Sequence, residues 1–491
     1  MAVLSANLRT ADVEEIPGVQ AVQTWFAGRK VFERTSRGLR TRRVWPPKCS
    51  QATQVRNDLG SSLRKLGAMC TNGRSSPAVG WEERTWAADP EGAGLLTRRA
   101  RVRAAGPYQA SVPARIADLH LDLPEEVLAE AEDAVAEIVR FDAEISRSLP
   151  DLTGDVAPLD AVLLRTESAS SSQIEHITAG AKALALATLG EKTRPNAALV
   201  AANVRAMNAA VALAGELDEA ALLSAHHALM DGQSAACPGE YRTVQAWIGG
   251  SAPTPHTAAF VPPHPERIAV GMADLFSYLH RTDVPVLVHA AVAHAQFETI
   301  HPFVDGNGRT GRVLIHALLH RAGTMSRIMV PLSAGLLTDT QGYFESLTAF
   351  RHGDATPIVR SLVHAALAAA GNGRRLVADL VSAHARWSEA LTARRDAAAW
   401  RALGVVIAQP AVTVEYVRAA LGVSRPAAQR AVDQLVDANV LQPASGQRRN
   451  RVWLATEVLA CLDEFAARSG RRGWPEAGGR RRESGAAVSP G

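Results

Sequence analysis

The sequence predicts an all-α protein that ends in a small winged helix. Three observations carry that prediction. Apolar residues recur at helical spacing through most of the chain from Asp122 onward. Strand-like alternation is confined to Arg242–Ile248 and to a segment around Trp453. The Ala-rich stretches are bounded by Asp, Ser, Pro and Gly, the residues that start and stop helices.

Taken in order, the first 107 residues do not fit this pattern. They hold 18 Lys/Arg against 9 Asp/Glu, although the whole chain carries only +4, and they show no periodic apolar face. Residues 1–107 therefore read as a basic, disordered extension, or as upstream sequence foreign to the native protein. A nucleic-acid- or membrane-binding arm is the alternative. The helical pattern begins at Tyr108. Asp122 and Pro124 open a helix that sets Val127, Leu128, Ala131, Val135, Ile138, Phe141 and Ile145 on one face. Further helices are expected over 157–190, 196–214, 217–231, 265–281, 285–299, 309–322, 339–351 and 355–369. The domains follow as an N-terminal helical region at 108–214, a core at 215–370, a helical linker at 371–400, a winged helix at 401–465 and a disordered tail at 466–491.

With 491 residues there is room for two or three domains, and 47% hydrophobic against 21% charged residues is ordinary for a globular chain. No run approaches the roughly 20 apolar residues that cross a bilayer, and the start lacks a signal-peptide pattern. The four cysteines (Cys49, Cys70, Cys237, Cys461) lack CxxC spacing, which argues against a disulfide framework or a zinc site. A reducing, cytoplasmic location is expected.

The most informative run is His301-Pro-Phe-Val-Asp-Gly-Asn-Gly-Arg-Thr-Gly-Arg312. His301 is a general base that works near neutral pH. Asp305 offers a hard oxygen for Mg²⁺, which takes few protein carboxylates when phosphates supply the rest. Gly306, Asn307 and Gly308 let successive N–H groups converge as an anion nest, and the helix that follows adds its positive end. Arg309 and Arg312 are permanently charged forks for phosphate oxygens.

That run resembles the signature of the Fic family, HPFx[DE]GNGRxxR, at every fixed position, and its glycines separate it from the related Doc kinases. The resemblance implies an all-α Fic-type domain with a small β-hairpin flap, in which AMP passes from ATP to a protein hydroxyl. It implies ATP contacts from Gly306, Asn307, Gly308, Arg309, Thr310, Gly311 and Arg312, with Mg²⁺ on Asp305. Residues 237–250 and 258–263 resemble the Fic flap, whose Val244, Trp247, Ile248 and Gly249 would hold the target segment by strand addition. Ser171 and Glu175 match the inhibitory motif [ST]xxxE[GN], with His176 departing from it. As i and i+4 neighbours both can face the site, where Glu175 would take Arg312 from the γ-phosphate. Tyr343 resembles a tyrosine near the adenine, while Arg351 stands where several family members have Asn. His226 and His227 read as packing or capping residues of the core helix, not as metal ligands.

At the C-terminal end, Val412–Ala420, a turn with Ser424 as N-cap, and Pro426–Ala438 read as helix-turn-helix, followed by a wing with a basic tip at 446–451. Arg425, Gln429 and Arg430 against Asp433 and Asp437 make a weakly basic recognition face, so DNA and a protein partner both remain open. The expected function is an autoinhibited protein adenylyltransferase with ATP and an unidentified protein as substrates. A DNA-binding regulator that senses a nucleotide, a Fic enzyme that removes AMP, and one that uses another nucleotide are the alternatives. No membrane partner is expected, and a homodimer stays open.

Overall fold

The computed structural model describes side chains over residues 75–86, 105–145, 158–191, 195–208, 217–233, 236–249, 254–325, 328–444 and 451–470, and the backbone alone of a few further segments. Among these are strands β1 (Ala2–Leu4), β2 (Ala21–Phe26), β3 (Arg29–Thr35) and β4 (Gly38–Arg40), paired antiparallel in chain order. The tip of the predicted wing, 445–450, and the end of the tail, 471–491, lie outside the described residues.

Strand β5 (Gly80–Trp86) pairs antiparallel with β6 (Gly106–Val112), in register from Gly80↔Val112 to Trp86↔Gly106. At 80–86 and 106–107 this departs from the reading of 1–107 as a disordered extension. It also places Tyr108 inside a strand, not at the start of a helical region. The apolar content of β5 lies in Trp81 and Trp86, too few residues to register as a periodic face. Both rings nevertheless find partners, Trp81 edge-on to Phe260 and Trp86 edge-on to Trp247. Ser75 accepts the N–H of Ala355 and donates to Asp354, fastening the entry to the hairpin.

The helices follow as expected from the apolar periodicity. Helix α1 (Glu125–Ser148) buries Val127, Ala131, Ile138, Phe141 and Ile145 against α11 (Thr356–Ala390). Between them in sequence come α2 (Pro158–Ile174), α3 (Ala181–Thr188), α4 (Pro195–Ala212), α5 (Glu219–Leu229), α6 (Ile268–Leu279), α7 (Val286–Ile300), α8 (Asn307–Arg321), α9 (Leu332–Leu336) and α10 (Thr340–Arg351). In α7 every residue from Leu287 to Ile300 is buried, so this helix is the axis of the domain. The single stretch read over 157–190 is two helices. It breaks at His176, which adopts a left-handed φ of 61°.

The stretch predicted as a helical linker at 371–400 is continuous with the core: α11 runs through Gly371 and Gly373 to Ala390 as one 35-residue helix. Its apolar face (Leu362, Ala366, Ala370, Leu376, Leu380, Ala383, Trp387) is unbroken, and Gly373 is where the Phe141 ring approaches the backbone.

The winged helix comprises α12 (Ala398–Ala408), β7 (Ala411–Val412), α13 (Val414–Leu421), α14 (Arg425–Asp437), β8 (Gln442–Pro443), β9 (Trp453–Leu454) and α15 (Thr456–Arg468), with strand order β7-β9-β8. Thr413 caps α13 through its side chain, whereas Ser424 holds the N-cap position of α14 without a side-chain bond. The module is docked on the helical domain. Gln409 accepts from Arg165 of α2 at 2.7 Å and donates to the Ala185 carbonyl of α3 at 2.7 Å.

The hairpin reading is testable by truncation. A chain beginning at Ser75 should melt above one beginning at Tyr108 by about 5 °C, the shift expected when the half-buried indoles of Trp81 and Trp86 and the strand pairing are lost together. Equal melting points by calorimetry would show that β5 contributes nothing to the fold.

Candidate active site

Helices α7 and α8 present the motif, and the loop between them is shaped before any ligand arrives. His301 ends α7 in a left-handed conformation (φ 50°), with its N–H still donating to Phe297. Asn307 closes the loop from inside, because its side chain accepts from the Phe303 N–H and donates to the Phe303 carbonyl, each at 2.9 Å. The Asn307 side chain is therefore a brace for the loop, and only its backbone is placed at the nest.

His226 of α5 supports the same loop. Its ring stacks on Phe303 at 3.6 Å, its Nδ1 accepts from Gly239, and its Nε2 then donates to the Asp305 carbonyl at 3.0 Å. Burial pushes its pKa down to about 4, which suits this neutral, packed role. Arg242, which the sequence reading passed over, ties the flap to the motif. It donates to the carbonyls of His301, Val244 and Pro263 at 2.7–2.9 Å, a scaffold of three backbone acceptors around one buried guanidinium.

His301 is partly exposed, and its Nδ1 faces Glu298 across 3.7 Å. Burial alone would push the Glu298 carboxyl up, but His301, His294 and Arg312 outweigh it and hold the group down at about 2. A fixed carboxylate on the Nδ1 side leaves Nε2 as the nitrogen free to take a proton, the arrangement that orients a catalytic histidine. Glu298 also was missed from sequence. It lies one turn before His301, and i, i+3 pairing on a helix was the available signal.

The nest carries an unusual occupant. A Cβ built on Gly308 would lie 2.0 Å from Glu175 Oε1, so the carboxylate rests directly on this turn of backbone. The same oxygen accepts from Arg312 Nη2 at 3.0 Å, while Ser171 takes Arg312 Nε on its hydroxyl (2.9 Å) and Nη2 on its carbonyl (2.8 Å). Burial works against the Arg312 charge, and Glu175 more than restores it, so the group lies above its ordinary value. Next to it, Arg309 is 2% exposed, and its Nε and Nη1 have no hydrogen-bond partner among the described residues. Burial lowers its pKa, the Asp305 carboxylate stands 3.6 Å away, and two donors remain for an anion.

Asp305 itself is more than half exposed. One oxygen accepts from the Gly306 N–H at 2.6 Å, and the other has no partner among the described residues. No cluster of three or more His, Cys, Asp or Glu able to hold a metal occurs among the described residues, so a metal here would share Asp305 with phosphate oxygens. Cys237 and Cys461, the two cysteines within the described residues, are free thiols.

Three expected ATP contacts fall elsewhere. Thr310 is buried in the helix interior, and Gly311 is the point where α8 meets α7, with His294, Phe297 and Glu298 within 3.1 Å of where a Cβ would be. Both are packing residues. Tyr343 is 2% exposed and bonded to His294 Nε2 at 2.7 Å, behind the site and not on its surface. The sequence could not separate these from ligand contacts because Thr310 and Gly311 lie between the motif arginines on one helix turn, and Tyr343 stands beside the exposed ring of Phe344. Arg351 is buried too, with its guanidinium 3.9 Å over the Phe260 ring.

The flap is less strand-like than its alternation implied. Ile248 and Phe260 form an isolated antiparallel bridge, Gly249 turns with φ 72°, and Gly250 lies outside the described residues. Val244 is exposed, and Trp247 packs on Trp86. The β5–β6 hairpin braces this flap, since Ser111 donates to Val261 and Tyr108 donates to Gln245. On the winged helix, Arg425, Gln429, Arg430, Asp433 and Asp437 are all exposed. Arg425, Gln429, Asp433 and Asp437 line a cleft of about 970 Å³ whose other side carries Leu189 and Glu191.

Two stretches of this fold match known protein families. Residues 216–319 match the Fic/DOC family and residues 395–450 the MarR family. Among curated proteins, the chain is similar to protein adenylyltransferase Fic of Nematostella vectensis, 35% identical over 126 residues, which are 25% of this chain and 26% of that protein. It is also similar to protein adenylyltransferase Fic of Drosophila virilis, 35% identical over 125 residues, 25% of this chain and 23% of that protein. The chain thus spans about a quarter of the length of these relatives. Among solved structures, a Fic family protein from Desulfovibrio desulfuricans G20 aligns over 66% of this chain and 95% of its own, at 24% identity and a TM-score of 0.40. No described helix is long and apolar enough to cross a membrane.

The neutral histidines make the site acid-sensitive. His226 and His294 are both held at about 4 by burial, below the value near 6.5 of an unfolded histidine. The unfolded chain therefore binds more protons below pH 6.5, so their contribution is complete above that pH and is lost as pH falls towards 4. At pH 5 each should cost about 2 kcal/mol. Calorimetry at pH 7.5 and pH 5 should show this drop, with His226→Asn removing its share of the slope; an unchanged slope in the variant would contradict the assignment.

Proposed function

We propose that the protein transfers AMP from ATP to a Ser, Thr or Tyr hydroxyl of a target protein or of itself, and that Glu175 inhibits it in the state described. One observation carries this reading: the Glu175 carboxylate lies on the Gly306–Gly308 turn and on Arg312. A glycine turn at a helix N-terminus and a buried guanidinium, with an internal carboxylate against both, supply the parts of an anion site, and a triphosphate is the anion that motif, helix end and arginine pair fit together. The similarity to curated adenylyltransferases supports the choice of nucleotide.

The chemistry follows from placement. The target hydroxyl oxygen attacks the α-phosphorus, its proton passes to His301 Nε2, and the bond from the α-phosphorus to the bridging oxygen breaks as pyrophosphate leaves. Glu298 holds the ring that accepts the proton. The nest N–H groups and the two free donors of Arg309 stabilise charge on the phosphates, an effect of about 2.7–4 kcal/mol for a well-placed donor. Arg312 is the partner for the γ-phosphate once Glu175 withdraws. Mg²⁺ fits Asp305, whose second oxygen is open; when bound, it would neutralise phosphate charge. The bridge at Ile248 presents the flap edge through Val244 and Trp247 as the seat of the target segment.

A second reading, DNA binding by α14, is favoured by the MarR match. Against it, the cleft beside the recognition face sets Glu191, Glu415, Asp433 and Asp437 against Arg425 and Arg451, a lining without the basic excess that phosphates require. Removal of AMP, or use of another nucleotide, would employ the same groups.

Incubation with α-labelled ATP, CTP, GTP and UTP separates these readings. Wild type should label itself slowly with ATP, and Glu175→Gly should raise the rate by about 100-fold, since restored in-line geometry is worth orders of magnitude. Arg312→Ala should reverse that gain, because both changes act on one contact. His301→Ala should abolish labelling with ATP affinity retained within a few-fold. Undiminished labelling by His301→Ala would contradict the base assignment, and an inactive Glu175→Gly would contradict the inhibitory one.

A further inference from the structure

The inhibitory helix meets α8 in more than one place. Glu167, Ser171 and Glu175 succeed one another at i, i+4 spacing along and just past α2, and Gly308, Arg312 and His316 do the same along α8. The helices run antiparallel, so the two series face each other as rungs. Glu175 lies on Gly308 and Arg312, and Ser171 lies on Arg312. One turn deeper, Glu167 Oε1 lies 2.9 Å from His316 Nε2, close enough for an ion pair but not aligned as a hydrogen bond, so the directional bonds of this rung are those of Ser333. Ser333 completes that inner rung, donating its hydroxyl to Oε1 at 2.5 Å and its backbone N–H to Oε2 at 2.8 Å.

The inner rung differs from the outer one in its access to water and nucleotide. Glu167 is 0% exposed and His316 1%, whereas the Glu175 side chain is 38% exposed at the nest. A triphosphate can compete with Glu175 for Arg312, but it cannot reach Glu167. The inner rung also lacks a part in the chemistry described above.

A buried carboxylate and imidazole are a costly way to fill a core, since apolar residues of the same volume do so without desolvating charge. What a directional rung adds is register. The face of α2 that meets α8 carries Glu167, Ser171 and Glu175, and its apolar share there is Leu164, which clusters with Val313 of α8. A slide by one helical turn, about 5.4 Å, would move Glu175 off Arg312. Such a slide would leave Glu167 without His316 and Ser333. On the opposite side, Asn203 of α4 holds only a backbone carbonyl and a hydroxyl, of Ser168 and Ser172.

We propose that Glu167, His316 and Ser333 are positioning residues of the inhibited state: a second, nucleotide-independent latch that fixes α2 in the register at which Glu175 reaches Arg312. The proposal rests on the adenylyl-transfer reading for its activity readout, but not for its structural one. Release of the site then has two steps. Nucleotide competes for the outer rung, and whatever loosens α2 acts on the inner one.

The test uses the full chain and two conservative variants, Glu167→Gln, which keeps the shape and one acceptor for the Ser333 N–H but removes the charge and the second acceptor, and Ser333→Ala, which keeps His316 and the backbone N–H. Hydrogen exchange is followed over residues 158–175, and self-labelling is followed with α-labelled ATP, each in the wild-type and Glu175→Gly backgrounds. Both variants should speed exchange of α2 amides by about tenfold relative to those of α7, the signature of local release. Each should raise labelling by about tenfold in the wild-type background and leave it unchanged in Glu175→Gly, since the latch acts only through Glu175. Equal loss of labelling in both backgrounds would show a merely structural role and overturn the proposal. So would α2 exchange that does not change, whatever the labelling. If Glu175→Gly itself fails to label, the adenylyl-transfer reading fails, and the exchange result still decides the latch.

Discussion

The burial of Arg312 is the constraint on which the rest of the site depends. A guanidinium that is 2% exposed must have its donors met, and here they are met by Ser171 and Glu175 of one helix. An unpaired charge at that depth is strongly unfavourable, so whichever anion satisfies it sets the state of the protein. In the structure that anion is internal. The helix carrying it is buried on all sides although half of its residues are polar, which ties the register of α2 to the identity of the Arg312 partner.

Everything around that pair is built to stay still. The motif loop is braced by Asn307 from within and by His226 from α5, and the flap is pinned to His301 through Arg242 and to the N-terminal hairpin through Ser111 and Tyr108. Such preorganisation means that the groups at the nest need not reorganise when phosphate charge arrives. The element with the means to change is α2. It ends at His176 in a left-handed conformation that Gly or Asn adopts at lower cost, by roughly 1–2 kcal/mol. The winged helix touches the same element through Gln409 and Arg165, whose Nε and Nη1 have no hydrogen-bond partner among the described residues.

Much of this was legible in the sequence, and the reasons differ by residue. The motif residues His301, Asp305, Gly306, Gly308, Arg309 and Arg312 stand together because a fixed loop opening a helix leaves little freedom of placement. Ser171 and Glu175 were legible because i, i+4 spacing fixes a shared face once the helix is read. The hairpin β5–β6 was not, because its stability lies in two tryptophans that meet the flap more than 150 residues away. Local periodicity contains no record of such contacts. Thr310, Gly311 and Tyr343 were misplaced for a related reason: a residue one step along a buried helix faces the core instead of the ligand, and only the packing of α7 on α8 tells which. Glu298 and Arg242 act through backbone carbonyls and a histidine edge, groups that no side-chain pattern reveals.

The central claim is that Glu175 occupies the position the γ-phosphate needs. Calorimetric titration of ATP and ADP into wild type and Glu175→Gly addresses it without any chemistry. In wild type the γ-phosphate should add almost nothing, so ATP and ADP bind alike; in Glu175→Gly, ATP should bind about tenfold tighter than ADP, as expected when one charge-assisted contact is regained. The same ATP-to-ADP ratio in both proteins would mean that Glu175 and the γ-phosphate do not compete for Arg312, and the account would be wrong at its centre.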